Sequence, residues 1–209
     1  MTLKLYVGSK RYSSWSLRPY VALAQSGLAF ETTTIMLDRD NTKSEIAKLT
    51  PSGKVPVLVD GDLVVWDSLA ICEYVAELAP EAGLWPADRA DRARARALCA
   101  EMHAGFAALR RDMSMDVLSD RRGQGHTPEA LADARRVMAM WNEAIANSGG
   151  PFLFGKQSIA DAFYAPVTLR FTIYGVELDP VTRAYVHAVQ ALPSMKTWQH
   201  DALAEAPSR

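Results

Sequence analysis

Cysteine is scarce in this sequence, and its cysteines are not arranged for cross-linking or metal binding. Only Cys72 and Cys99 are present, and neither belongs to a Cys-x-x-Cys motif or a Cys/His cluster. The four histidines are likewise scattered along the chain and do not form a ligand set. A disulfide framework and a zinc site are therefore not expected. We expect no bound metal, and two inert thiols on apolar helix faces.

The sequence also lacks long apolar runs and an excess of charge of either sign. No run of 18 apolar residues occurs, so no membrane span is expected. The formal net charge of −1 argues against broad electrostatic binding to nucleic acid or anionic lipid. The segment "MTLKLYVGSKRY" contains no apolar signal core, and we therefore expect a cytoplasmic protein.

The first 80 of the 209 residues alternate strand and helix signals. Asp60-Gly61 between two apolar runs predicts a hairpin turn, whereas Pro19 and Gly27 are typical of the first turn and the end of a helix. The predicted elements are strands at 3–7 and 30–36, a hairpin within 55–66, and helices at 17–27, 44–49 and 68–79. Their order is βαβ, then a helix, then ββα, which predicts one α/β sheet domain over 1–80.

Strand signals disappear after a linker at 81–88, whose neighbourhood contains two prolines and a glycine. Residues 89–209 are predicted to form an all-helical bundle. Ser158 with Asp161 three residues later resembles a capping box at a helix start. The predicted helices span 89–118, 127–146, 158–175, 179–192 and 194–206.

Three polar features stand at strand ends or helix starts of the first domain. The run "KRYSSWSLRP" (10–19) places three serines at a strand-to-helix junction. Val55-Pro56 enters a strand, and a cis bond there would leave the Val55 backbone free to pair with an extended peptide. Asp67-Ser68 begins a helix, whose free N–H groups and positive dipole end favour a carboxylate. Each feature has a purely structural alternative: turn or cap serines, a trans edge proline, and simple helix capping.

Taken together, the hydroxyl junction "SSWSLR", the segments "GKVPVL" and "DSLAICEYV", the linker and "SIADAFYAPV" resemble the cytosolic glutathione S-transferases. This resemblance covers the whole chain. It implies a thioredoxin-like amino-terminal domain followed by an all-helical domain. The serine run is most similar to the serine-type classes (theta, tau and zeta). Trp15 stands where the zeta pattern Ser-Ser-Cys has cysteine.

The resemblance implies roles for individual residues. Counting back from Arg18, Ser13 corresponds to the serine that activates the glutathione thiol, and Ser14 is its close competitor. It places glutathione against Trp15, Lys43, Lys54, Val55, Pro56, Asp67 and Ser68. It places a second substrate between the domains, against His103, Phe106, Met113 and Trp141. A homodimer is implied, with glutathione as co-substrate.

The energetics permit this role for one serine. A free thiol has a pKa of about 8.5, and lowering it by roughly two units requires about 2.7 kcal/mol in favour of the thiolate. A hydroxyl that donates to a charged acceptor contributes roughly 1.5–3 kcal/mol. A helix amino terminus adds about 0.3–1 kcal/mol. One serine at this junction is nearly sufficient, with Arg11 or Arg18 as candidate helpers.

Three functions remain open on the sequence alone. The leading one is a detoxifying transferase that conjugates glutathione to small apolar electrophiles or reduces peroxides with it. The second is a zeta-like maleylacetoacetate isomerase, and the third is a non-catalytic binding or stress protein that kept the fold. A thioredoxin or glutaredoxin role is disfavoured, because the first-helix junction has no thiol.

Overall fold

The computed structural model describes residues 2–205 and contains, in its first part, a four-stranded sheet flanked by helices. The strands are β1 (Leu3–Gly8), β2 (Phe30–Ile35), β3 (Val57–Asp60) and β4 (Leu63–Val65). The helices are α1 (Ser14–Ser26), α2 (Thr42–Ala47) and α3 (Ser68–Leu78). In the sheet order β2-β1-β3-β4, β1 runs parallel to β2, and β3 is antiparallel to β1 and β4. The predicted fold class of this domain is confirmed.

Local sequence explains these elements. The alternate residues Leu5 and Val7 of β1 are fully buried. Gly61, between β3 and β4, has a φ of 58°, which the tight hairpin requires. Gly27 closes α1 in the left-handed conformation. However, α1 begins three residues earlier than predicted, so Pro19 lies beyond the first turn.

The second part is all-helical, as predicted. It contains α4 (Arg89–Ala104), α5 (Ala107–Asp112), α6 (Pro128–Ser148), α7 (Ile159–Tyr174), α8 (Pro180–Gln190) and α9 (Pro193–Ala204). Within the described residues, no helix combines the length and apolar character needed to cross a bilayer.

The single helix predicted over 89–118 is wrong, because the chain breaks after Ala104. Phe106 adopts a left-handed φ of 58°, and α5 starts only after it. A side chain at Gly105 would place a Cβ atom 2.8 Å from the carbonyl oxygen of Glu101, so this turn requires glycine. Residues 113–127 then run without a regular helix or strand.

The helical domain is organised around α7, which is buried almost along its whole length. The predicted capping box is present: the carboxylate of Asp161 accepts the Ser158 N–H at 2.8 Å. The same carboxylate accepts the Leu153 N–H and the Tyr185 hydroxyl, each at 3.1 Å. Its complete burial raises the pKa of Asp161 to about 6. These bonds fix the start of α7 in the core.

Helices of the second domain hold the loop between β1 and α1. Trp198 of α9 donates its indole N–H to the Lys10 carbonyl at 2.8 Å. The Lys10 ammonium forms an ion pair with Asp201, and its backbone N–H donates to Glu205 at 2.6 Å. Because this loop leads directly into the serine cluster, the helical domain helps to fix the position of Ser13.

Candidate active site

A cleft with a volume of about 570 Å³ opens where α1 and α3 begin, beside α4 of the helical domain. Loops and helix starts of the first domain form most of its wall, and His103 is the contribution of the second. It is lined by Tyr12, Ser13, Ser14, Trp15, Leu37, Ile46, Ser52, Gly53, Lys54, Val55, Pro56, Trp66, Asp67, Ser68 and His103. The structure therefore brings together the three polar features that are far apart in the sequence.

Both candidate serines line this cleft, but their hydroxyls have different partners. Ser13 occupies the N-cap position of α1, yet its side chain caps no backbone N–H. Instead its hydroxyl donates to Ser16 Oγ at 2.8 Å, and Ser16 Oγ also accepts the Gly8 N–H at 3.0 Å. Ser14 Oγ accepts a hydrogen bond of 3.1 Å from the guanidinium of Arg170. Neither serine is therefore a simple capping residue.

The segment that enters β3 forms another wall of the cleft. The Val55–Pro56 bond is cis, the isomer that the hypothesis for this segment assumed. Val55 and Lys54 line the cleft, and Lys54 is exposed to solvent. This wall thus offers backbone groups and one ammonium group to a ligand.

Asp67 and Ser68 provide paired polar groups at the start of α3. Asp67 is the N-cap residue, and its Oδ1 accepts the Leu69 N–H at 2.9 Å. Its Oδ2 lies 3.1 Å from His103 Nε2. Ser68 Oγ is buried and makes no hydrogen bond within the described residues. Leaving a buried hydroxyl without a hydrogen-bond partner costs free energy, and a polar ligand bound at this position would supply that partner.

His103, in helix α4 of the helical domain, extends its imidazole into the cleft wall. Burial lowers the pKa of its imidazole, and Arg18 and Arg110 act in the same direction, whereas the Asp67 carboxylate opposes them. The ring meets Trp15 edge-on, with 5.0 Å between ring centroids. His103 is therefore predominantly neutral at pH 7, and together with Trp15 it presents an aromatic wall.

Three arginines stand behind this wall, and sequence reasoning gave no role to two of them. The Arg18 guanidinium lies over the Trp15 ring at 4.2 Å, and Arg110 lies over the same ring at 4.8 Å. Burial, with a smaller contribution from the charge of Arg110, lowers the pKa of Arg18 to about 9 and that of Arg170 to about 10. The only sequence signal for Arg170 was a charge inside the apolar run "APVTLRFTIY".

Several predicted site residues do not line the cleft. Lys43 is exposed on α2, and Ile46 is the α2 residue that reaches the cleft instead. Arg11 is not available as a helper, because its guanidinium forms two hydrogen bonds, of 2.6 and 3.0 Å, with Asp116.

Of the four residues expected to contact a second substrate, only His103 lines the cleft. Phe106, Met113 and Trp141 are all buried in the hydrophobic core. Trp141 packs against Tyr164, with 5.5 Å between ring centroids, inside the helical domain. The break at Gly105 changes the direction of the chain, so positions extrapolated along one continuous helix did not hold. The residues that sequence reasoning missed are Tyr12, Leu37, Ile46, Ser52, Gly53 and Trp66.

The two thiols lie outside the cleft wall. Cys72 and Cys99 are fully buried, and burial raises the pKa of both thiols. Within residues 2–205, no group of three or more metal-ligating side chains converges. The polar side chains that line the cleft are hydroxyls, a carboxylate, an ammonium, an imidazole and two indoles.

Comparisons with known proteins identify the architecture. The sequence model of the glutathione S-transferase N-terminal domain matches residues 12–78, and that of the C-terminal domain matches residues 124–199. A probable maleylacetoacetate isomerase from Caenorhabditis elegans is 34% identical over 169 residues, which is 80% of this chain and 79% of that protein. Glutathione S-transferase 1 from Dianthus caryophyllus is 29% identical over 181 residues, 85% and 82% of the two chains.

A solved structure extends this likeness to three dimensions. A glutathione transferase homologue from Burkholderia, determined with bound glutathione, superposes with a TM-score of 0.76 at 27% identity. The match covers 98% of this chain and 100% of that one. The chain belongs to the glutathione S-transferase family. It is a glutathione transferase with the two-domain architecture expected from its sequence.

Proposed function

We propose that this protein is a serine-type glutathione transferase that conjugates the glutathione thiol to small apolar electrophiles, with peroxide reduction as an additional reaction. The observation that carries the proposal is the meeting of Ser13, Ser14, Val55 and the Asp67-Ser68 pair in one cleft. These groups match the chemistry of a tripeptide that carries an ammonium, two carboxylates, extended backbone and a thiol. The family membership of the chain supports glutathione as that tripeptide.

Each polar group has a part of glutathione to bind. Asp67 binds the γ-glutamyl ammonium, and Ser68 donates its free hydroxyl to the neighbouring carboxylate at the amino terminus of α3. The Val55 backbone, beside Pro56, pairs with the cysteinyl residue, and Lys54 neutralises the glycyl carboxylate. This arrangement leaves the thiol at the start of α1, next to the serine hydroxyls and Trp15.

The second substrate binds beside Trp15 and His103, with Tyr12 and Trp66 completing the wall. Aromatic surfaces favour flat, apolar molecules. Trp66 is 42% exposed, so the cleft presents apolar surface at its entrance. Among the described residues that line the cleft, Lys54 contributes a basic side chain and Asp67 an acidic one.

Binding and turnover test the proposal. The purified protein should bind to immobilised glutathione, elute with free glutathione and conjugate an aryl halide. Bound glutathione should show ultraviolet thiolate absorbance at a pH where free glutathione does not. Absence of both binding and conjugation would contradict the proposal. Normal binding without turnover across a panel of electrophiles and peroxides would indicate the non-catalytic alternative.

Maleylacetoacetate isomerisation is a second candidate, and the observation that favours it is the 34% identical isomerase-named relative from Caenorhabditis elegans. In that reaction glutathione is a nucleophile that is regenerated. Turnover of maleylacetoacetate, compared with conjugation of an aryl halide at equal enzyme concentration, separates the two functions. An isomerase rate far above the conjugation rate would assign the protein to the second candidate.

A homodimer in the cytoplasm, acting in detoxification, remains part of the proposal. One feature is compatible with self-association: Leu63 is an exposed apolar residue on the edge strand β4. Light scattering should give twice the chain mass of 23.0 kDa. A mass of one chain at micromolar concentration would refute the dimer.

A further inference from the structure

The Ser14 hydroxyl is held in a way that leaves its hydrogen for the cleft. Ser14 lies in the first position of α1 and lines the cleft, and it is 7% exposed. Its oxygen accepts the Arg170 guanidinium at 3.1 Å, and no residue of the described range accepts its O–H. A hydroxyl has one hydrogen, which cannot point toward a cation that already donates to the oxygen. The hydrogen is therefore free for an acceptor in the cleft.

Arg170 is fixed on its other side, so its orientation toward Ser14 is not arbitrary. It is 4% exposed in the buried helix α7, and its second amino group donates to the Met113 carbonyl. Burying a cation with so few hydrogen-bond partners is costly. The contact joins α7 of the helical domain to α1 of the sheet domain.

Ser13 differs from Ser14 in this respect. Its hydroxyl donates to Ser16 Oγ, within a pair that also receives the Gly8 N–H. No charged group of the described residues donates to Ser13 Oγ. A hydrogen bond from a cation polarises the receiving O–H and makes it a stronger donor. Ser14 is thus the better placed of the two hydroxyls to stabilise an anion.

We propose that Arg170 is a positioning residue that orients and polarises the Ser14 hydroxyl, so that Ser14 rather than Ser13 donates to the glutathione sulfur. This inference rests on the proposed function. Ser14 keeps its own proton, and the thiol proton leaves to solvent when the thiolate forms. The other charged or titratable groups near Arg170 are Arg110 and Tyr174, and Arg18 lies close to Arg110 on the α1 side. The guanidinium groups of Arg110 and Arg18 are cations, so their charges favour a thiolate in this region.

A double-mutant cycle on the bound thiol tests the inference. The four proteins are the wild type, Ser14→Ala, Arg170→Met and the double variant. The measurement is the pKa of enzyme-bound glutathione, from thiolate absorbance against pH at saturating glutathione. We expect Arg170→Met to raise this pKa by about one unit, which is a tenfold loss of thiolate below the pKa. In the Ser14→Ala background the same substitution should have almost no further effect, because Arg170 acts through Ser14.

Controls distinguish this role from general damage to α7. Thr168→Val removes a buried hydroxyl of the same helix that bonds only to the Ala165 carbonyl, and it should leave the bound thiol pKa unchanged. Arg170→Lys keeps a positive charge but loses the planar guanidinium geometry. We therefore expect a smaller rise in the pKa of the bound thiol, which should also disappear in the Ser14→Ala background. Should Arg170→Met fail to fold, the cycle is run with Arg170→Lys.

Three results would overturn the inference. The first is an unchanged thiol pKa in a folded, glutathione-binding Arg170 variant. The second is additive shifts in the double variant, which would mean that Arg170 acts through its charge alone. The third is a shift with Ser13→Ala and none with Ser14→Ala. Failure of the proposed function has a different signature, since the wild type would then show no thiolate at all.

Discussion

Asp67 caps helix α3 and, in the proposed function, binds the ammonium of glutathione, and substitutions can separate these two roles. One carboxylate oxygen caps α3 by accepting the Leu69 N–H at 2.9 Å, and the other lies 3.1 Å from His103 Nε2. The proposed function adds the ammonium of glutathione as a third partner. Asparagine is as good an N-cap as aspartate, whereas alanine caps nothing. Asp67→Asn therefore removes the charge and keeps the cap, and Asp67→Ala removes both.

The expected magnitudes differ for the two tasks. Loss of the cap in Asp67→Ala should lower the free energy of unfolding by about 1 kcal/mol, and Asp67→Asn should change it by less than about 0.5 kcal/mol. A hydrogen bond to a charged group contributes roughly 1.5–3 kcal/mol. The Asp67 side chain is 48% exposed, so solvent screening reduces this to about 1–2 kcal/mol. Both variants should therefore bind glutathione roughly 5- to 30-fold more weakly.

Calorimetric titration with glutathione measures the binding affinity of each variant. Urea denaturation of the same samples measures the free energy of unfolding. Asp88 provides a matched control, because it caps α4 through Ala90 and Asp91 and does not line the cleft. Asp88→Ala should lower stability by a similar amount and leave the glutathione affinity unchanged. Wild-type affinity in Asp67→Asn would refute the assignment of Asp67 to the ammonium.

Three further predictions concern the fold and the titration of its groups. Gly105→Ala should destabilise the protein by about 1–3 kcal/mol in urea denaturation, because its Cβ would lie 2.8 Å from the Glu101 carbonyl oxygen; an unchanged midpoint would contradict this. The His103 imidazole should titrate below its ordinary value of 6.5, as followed by NMR, and Asp67→Asn should lower its pKa further; a rise would be inconsistent with the contact. The pKa of Asp161 is raised to about 6, so this group holds a proton in the folded protein that the unfolded chain releases above pH 4. Its contribution to stability is therefore lost as pH rises through 6. Asp161→Asn should flatten the pH dependence of the free energy of urea unfolding between pH 4 and 7, and the same pH dependence as the wild type would contradict this prediction.

Local sequence was sufficient for most of the secondary structure. The hairpin at Asp60-Gly61 and the capping box at Ser158 and Asp161 were predicted because short-range backbone chemistry decides them. The cleft groups Asp67 and Ser68 were found for the same reason, since a helix start is visible in sequence. Their convergence with Ser13 and Ser14 followed from the family resemblance.

Predictions failed where a result depended on the direction of a helix or on packing between helices. The break at Gly105 was missed because one glycine in an Ala- and Arg-rich run costs a helix only about 1 kcal/mol. Once that break turned the chain, Phe106 and Met113 pointed into the core. Trp141 was misplaced because periodicity gives an apolar face and does not say which neighbour it packs against.

The sequence by itself determined the order of strands and helices, the caps, and the polar residues at the mouth of the first and third helices. These depend on contacts between residues a few positions apart, which the chain carries with it in any environment. Only the tertiary structure decided which hydroxyl meets a cation and which aromatic ring faces the cleft. The guanidinium of Arg170 reaches Ser14 from 156 positions further along the chain, and no local pattern encodes a distance of 3.1 Å between such residues.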